Sequence, residues 1–256
     1  MSTSACAQTA PAGVSQPSEA PVVIALATRQ GTDGDIADAA ATYTAADGTV
    51  AIAVIDGIGH DPDIVALAPV LAEVAVRVGA QRGALVGLLT TALLVADEGP
   101  GGRGPDAVGA LAVRSPGRPT VGVWAGDARI YGLSRDGRLR QYSTDETVGQ
   151  QLRDRGIPVD VASQGDHIIR TPLSRTTAAT VTEVLIPADE VVIITSDGVH
   201  DQVGPERLEA LAAEHGDDFL ALADALVAAA QPDQDGYRDD ATTIALARGN
   251  RQTSPG

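Results

Sequence analysis

The sequence predicts an α+β fold: two antiparallel β-sheets packed as a sandwich and flanked by α-helices. Three observations carry this. Apolar runs of strand length come in pairs around short turns such as Asp47-Gly48 and Asp136-Gly137. Helical patterns are grouped rather than alternating one by one with strands, which argues against a parallel sheet. And 44% of the 256 residues are hydrophobic, enough for a substantial core.

The elements follow in order. A first strand is expected over 21–28, then an Asp/Gly loop, then strands over 39–45 and 49–55 joined at Asp47-Gly48 as an antiparallel pair. Apolar residues at helical spacing after Asp63 give a helix over 63–78, and 84–95 reads as a second, more buried one. A Gly/Pro loop spans 99–105. Strands over 107–113, 120–126, 129–134 and 138–143 read as a four-strand meander. A short helix is expected within 145–156, with Asp145 as its cap, followed by a polar surface stretch over 158–166. Strands over 178–186 and 190–196, helices near 205–214 and 217–230 and a strand over 241–247 complete one domain over 21–248. Residues 1–20 and 249–256 read as disordered tails.

Composition excludes several classes. With one Phe and one Trp, the core must be built from Ala, Val, Leu and Ile. A net charge of −16 opposes nucleic-acid phosphates and anionic lipid, so neither nucleic acid nor membrane is an expected partner. All 18 basic residues are Arg, which removes P-loop enzymes, Schiff-base lysine enzymes and Ser-x-x-Lys acyl enzymes. The single cysteine, Cys6, permits no intrachain disulfide and suits a reducing cytoplasm. Residues 1–21 lack the basic start and apolar stretch of a secretory signal, and Pro69, Glu73 and Arg77 interrupt the longest apolar segment. Ala, Gly and Arg in abundance without Lys fit a GC-rich bacterial source.

Four apolar runs end in an aspartate held in a tight turn: Asp56, Asp127, Asp197 and Asp239. Carboxylates at strand ends, distant in sequence yet able to meet at one edge, are how a chain builds an oxygen-lined site for hard divalent cations. The expectation is a metal-dependent hydrolase.

In order, Asp38-Ala39, Asp56-Gly57-Ile58-Gly59, Gly126-Asp127-Ala128-Arg129, Ser143-Thr144-Asp145, Ser196-Asp197-Gly198-Val199-His200-Asp201 and Arg238-Asp239-Asp240-Ala241-Thr242 resemble the motifs of the metal-dependent protein Ser/Thr phosphatases, the PPM family, over roughly residues 22–248. The resemblance implies hydrolysis of phosphoserine and phosphothreonine in phosphorylated proteins, by direct attack of a hydroxide bridging two Mn or Mg ions. It implies that Asp56 bridges both ions, that the Gly57 carbonyl ligates one, that Asp197 and Asp239 complete the other, and that Asp38 holds metal-bound water. In bacterial relatives the positions of Asp127, Asp197 and Asp201 hold a third ion.

Two departures stand out. Where the family carries an Arg before the first Asp and a Glu beside it, this chain has Asp33 and Ala37, leaving Arg29 as the nearest candidate for phosphate. Ile58 replaces a catalytic His of some relatives, so His60, or a water, is left to protonate the leaving alkoxide. His60 and His200 read equally as loop residues, and Arg129 as half of a structural ion pair. The segment 144–170 matches a mobile flap beside the cleft of relatives, and reads equally as a structural surface loop. A dehalogenase-type phosphatase is disfavoured, since Asp33-Gly34-Asp35-Ile36-Ala37 supplies half of its motif and no Lys exists. The remaining alternative is a degenerate phosphatase domain that binds a phosphoprotein with little turnover.

Overall fold

The computed structural model describes residues 22–96 and 104–248; Cys6, both tails and most of the 99–105 loop lie outside the described residues. The elements are β1 (Val22–Arg29), β2 (Ala39–Thr44), β3 (Val50–Gly57), α1 (Pro62–Arg82), α2 (Ala84–Ala92), β4 (Ala107–Arg114), β5 (Thr120–Ala125), β6 (Arg129–Leu133), β7 (Leu139–Gln141), α3 (Val148–Asp154), α4 (Val159–Ala162), β8 (Thr182–Ile186), β9 (Val191–Thr195), α5 (Asp197–Val203), α6 (Pro205–Glu214), α7 (Phe219–Ala229) and β10 (Ala241–Arg248). They form two five-stranded sheets, ordered β1-β10-β9-β6-β7 and β2-β3-β4-β5-β8. Neighbouring strands are antiparallel in both.

Burial divides the core into three layers. Val50, Ile52 and Val54 of β3 meet Ile130, Ile194 and Ile244 of the other sheet. The alternate residues Ala51, Ala53 and Ile55 face the opposite way, against Ile64, Leu71 and Leu88 of α1 and α2. Ile193 and Ala245 of the first sheet pack on Leu208, Leu222 and Leu226 of α6 and α7. The central strands are therefore buried on both faces, which is why β3 and β4 are apolar without alternation. Each buried Val, Leu or Ile contributes roughly 1.5–3 kcal/mol. No helix among the described residues is long and apolar enough to cross a membrane.

Several expectations change in detail. The meander is two hairpins in different sheets: β4 pairs β5, β6 pairs β7, and β5 turns instead to β8. Strand-length apolar runs around a turn signal each hairpin, but the Gly126-Asp127 turn carries the chain from one sheet to the other, a change that strand pattern does not encode. Helix α2 ends early and is less buried than expected, with Leu85, Val86, Leu93 and Leu94 exposed. Residues 178–181 precede rather than join β8. Thr147, not Asp145, caps α3, its hydroxyl accepting from the Gln150 amide at 3.1 Å. Helix α5 begins directly at Asp197, where the sequence suggested only a tight turn.

Candidate metal centre

The strand registers bring the acidic residues to one pole of the sandwich. Asp56 continues the inward-facing set Val50, Ile52, Val54 at the end of β3. In the β2–β3 register Ala39 faces Ile55, so Asp38 falls opposite Asp56; the Gly57 amide donates to the Ala37 carbonyl at 3.2 Å one step further on. Arg129 of β6 faces Thr195 of β9, and two more steps set Asp127 across from Asp197. Asp239 precedes β10, which neighbours β9.

Close backbone contacts hold these ends together. A Cβ on Gly198 would lie 2.0 Å from the Asp240 carbonyl oxygen, so only glycine lets the start of α5 lie against the start of β10 and place Asp197 near Asp239. Gly198→Ala should therefore cost about 1–3 kcal/mol of stability, measured by urea unfolding; unchanged stability would show that the contact relaxes freely. At Gly57 the reason for glycine is packing: a Cβ there would meet Ile64 Cγ1 at 2.7 Å and the Ala37 oxygen at 2.9 Å.

The electrostatics are those of crowded carboxylates, with Arg129 as a counter-charge at the edge, beside Asp145 and Asp201. Burial pushes the Asp56 carboxyl well above the usual range, and Asp197, Asp38, Asp127 and Asp239 push it in the same direction. Its Oδ2 is buried with no hydrogen-bond partner. Burial, then Asp197 and Asp145, raises Asp127 to about 8; burial, then Asp239 and Asp201, raises Asp197 to about 7. Asp38 is also raised well above its usual value, chiefly by burial, although the Ser196 hydroxyl donates to its Oδ2 at 2.7 Å. Asp201, more exposed, is raised by burial against the pull of Arg129.

These residues fit divalent cations. A buried acidic oxygen without a donor, on which four further aspartates act with like charge, is a stable arrangement only when protons or cations neutralise it. All the side-chain donors are hard oxygens, which suits Mg or Mn. Among the described residues, however, no three acidic, His or Cys side chains are already gathered tightly enough to grip an ion. The carboxylates share a neighbourhood without closing on a common point.

Other candidates have different occupations. Arg29 is committed elsewhere, its Nη1 donating to the carbonyls of Ala228 at 3.3 Å in the last turn of α7 and of Ala230 at 2.9 Å just past it. His60 Nδ1 is 3.2 Å from the Asp35 carbonyl and 3.9 Å from Asp240 Oδ2. His200, read as a loop residue or catalyst, is instead inside α5, its Nδ1 2.8 Å from the Thr195 hydroxyl; burial holds it well below its usual pKa and hence neutral. Arg129 grips Asp145 with two hydrogen bonds, at 2.9 and 2.6 Å, and reaches Asp201 at 3.4 Å.

Sequence reasoning missed Asp240 and Ser196. Asp240 accepts from the amides of Gly31 at 2.6 Å and Ala37 at 2.7 Å, fixing the loop that delivers Asp38. Ser196 accepts from the Thr242 amide at 2.9 Å while donating to Asp38. Their partners in the first loop and at Asp38 lie more than 150 residues away, so the only local signal was a second Asp beside Asp239.

The segment 144–170 is anchored at its neck. Trp124 Nε1 donates to the Thr144 carbonyl at 2.9 Å, the Glu146 amide donates to the Gly126 carbonyl at 2.8 Å, and Thr147 bridges Ile169.

No protein-family model matches the chain, and no curated protein matches it in sequence. Solved structures match the fold over most of its length. A serine/threonine phosphatase of S. agalactiae is 15% identical, with 89% of this chain and 99% of that chain covered and a TM-score of 0.74. The PPM Ser-Thr phosphatase MsPP of Mycobacterium smegmatis is 20% identical, covering 89% and 98%, with a TM-score of 0.70. The catalytic domain of the serine/threonine protein phosphatase PstP, in complex with two manganese ions, is 20% identical, covering 90% and 99%, with a TM-score of 0.61. The chain has the fold of the PPM phosphatases.

Proposed function

We propose that this chain is a Mn- or Mg-dependent protein Ser/Thr phosphatase that hydrolyses phosphoserine and phosphothreonine. The observation that carries the reading is the unpartnered buried Oδ2 of Asp56, with Asp38, Asp127, Asp197 and Asp239 as the charges that act on it most. The shared fold, and the two manganese ions of the PstP structure, support it.

Asp56, Asp197 and Asp239, with the Gly57 carbonyl, would hold two cations; Asp127 and Asp201 would contribute to a third. When bound, the cations supply a water ionised near neutral pH and offset charge on the phosphoryl oxygens. Asp38, steadied by Ser196, would orient the attacking water and take its proton. With His60 engaged by Asp35, the proton for the leaving serine or threonine oxygen is assigned to solvent.

The commitment of Arg29 to α7 favours the other reading, a phosphatase-like domain that binds a phosphoprotein without turning it over. Turnover of p-nitrophenyl phosphate and of a phosphothreonine peptide decides between them. Activity with Mn that chelator abolishes is expected, and none at millimolar Mn would favour the binding domain. Asp239→Asn should raise the Mn concentration for half-activity at least about tenfold. An unchanged calorimetric Mn titration would remove Asp239 from the site.

A further inference from the structure

Tyr237 is the only exposed aromatic side chain among the described residues, 42% accessible on the stretch between α7 and β10; the others are buried or half-buried. Core packing therefore does not explain where it stands. Its hydroxyl hydrogen-bonds the Asp239 carboxylate, and Asp239, Asp197 and Asp240 are the charges that act on it most. At neutral pH a phenol carries its proton and a carboxylate has none to give, so the hydroxyl is the donor. Asp239 Oδ1 also accepts from the Asp240 amide at 2.8 Å. We propose that Tyr237 is a positioning residue of the cation site, donating to Asp239 so that this carboxylate turns its free lone pairs towards the ions. The inference rests on the phosphatase reading, which makes Asp239 a ligand.

The backbone holds Tyr237 from both sides. Before it, the Asp233 carboxylate accepts from the amides of Asp235 and Tyr237, each at 2.9 Å, and the Asp233 amide donates to the Tyr237 carbonyl at 2.8 Å, closing a tight loop. After it, the Arg238 amide donates to the Thr32 hydroxyl and the Thr32 amide to the Arg238 carbonyl, each at 2.9 Å. A hydroxyl carried on such a frame needs little further ordering to stay on its acceptor. The type of donor matters as much as its place. A guanidinium on Asp239 would compete with the cations for its charge, whereas a neutral O–H orients the carboxylate and leaves that charge available. The neighbouring Arg238 is engaged elsewhere, its Nη2 donating to the Gln30 carbonyl at 2.7 Å. Asp56, with an oxygen that has no donor, and Asp239, with two donors, are thus prepared in different ways: one is left free and the other is aimed.

Calorimetric titration of Mn into the metal-free protein tests this in the wild type, Tyr237→Phe, Asp239→Ala and the double variant. Phe keeps the ring and the loop and removes only the hydroxyl. Tyr237→Phe should weaken Mn binding about tenfold, the lower end of what an orienting partner of a metal ligand contributes. In the Asp239→Ala background the same substitution should change Mn affinity by less than about twofold, because its acceptor is gone. A role confined to holding the loop would weaken both backgrounds alike. An unchanged Mn affinity in Tyr237→Phe, or an equal loss in the two backgrounds, overturns the assignment and leaves the phosphatase reading standing. A wild type that takes up neither Mn nor Mg removes the cation site, and the phosphatase reading falls with it.

Discussion

Asp56→Asn should lower turnover about a thousandfold and, at the same time, raise the melting temperature of the metal-free protein at pH 8. The two effects share one cause. The Asp56 carboxyl is buried, its Oδ2 has no donor, and its strongest charged neighbours are Asp197, Asp38, Asp127 and Asp239. An amide of the same shape removes a charge that the fold solvates poorly and relieves the aspartates around it. A gain of about 1–2 kcal/mol is expected, or several degrees for a domain of this size. The catalytic loss is expected on the proposed function, in which Asp56 would help hold the cations, whose charge stabilisation is worth several kcal/mol. Differential scanning fluorimetry in chelator and a p-nitrophenyl phosphate assay in Mn measure both. A variant that melts lower without metal would show that Asp56 is held by interactions other than those described.

Stability should also depend on pH in the direction opposite to ordinary acid denaturation. Asp127 at about 8 and Asp197 at about 7 lie above the unfolded carboxylate value of 3.8. Across that window the folded chain binds more protons than the unfolded one. The stability these groups allow is complete below the unfolded value and is lost as pH rises towards 7 and 8. One pKa unit corresponds to about 1.4 kcal/mol. Between pH 5.5 and pH 8 the metal-free protein should lose on the order of 3 kcal/mol, or about 8 °C in Tm. Millimolar Mn should reverse the loss, and by more at pH 8, because ions and protons compete for the same oxygens. A Tm that is flat from pH 5.5 to 8 in chelator, or equal Mn shifts at both values, would count against the carboxylate cluster.

Much of this architecture was legible in the sequence because strands and turns are encoded locally. The Asp47-Gly48 hairpin follows from turn chemistry between two apolar runs. The division of strands between sheets was not legible, since the Gly126-Asp127 turn looks like any hairpin and differs only in where the chain goes next. For the same reason the acidic positions could be named while their surroundings could not. Asp240 holds Gly31 and Ala37 across more than 200 residues of chain. Arg29 illustrates the converse: proximity in sequence to Asp38 suggested a phosphate ligand, yet its guanidinium is taken by carbonyls at the C-terminal end of α7.

The acidic residues belong to opposite halves of the sandwich: Asp38 and Asp56 to the β2–β3 hairpin, Asp197 and Asp239 to the ends of β9 and β10. Neither half alone can assemble the constellation, so the carboxylates meet only once both sheets are formed and packed. An ion seated there would act as a clasp across the two halves, and amide exchange should slow most in the layer joining Ile52 to Ile194.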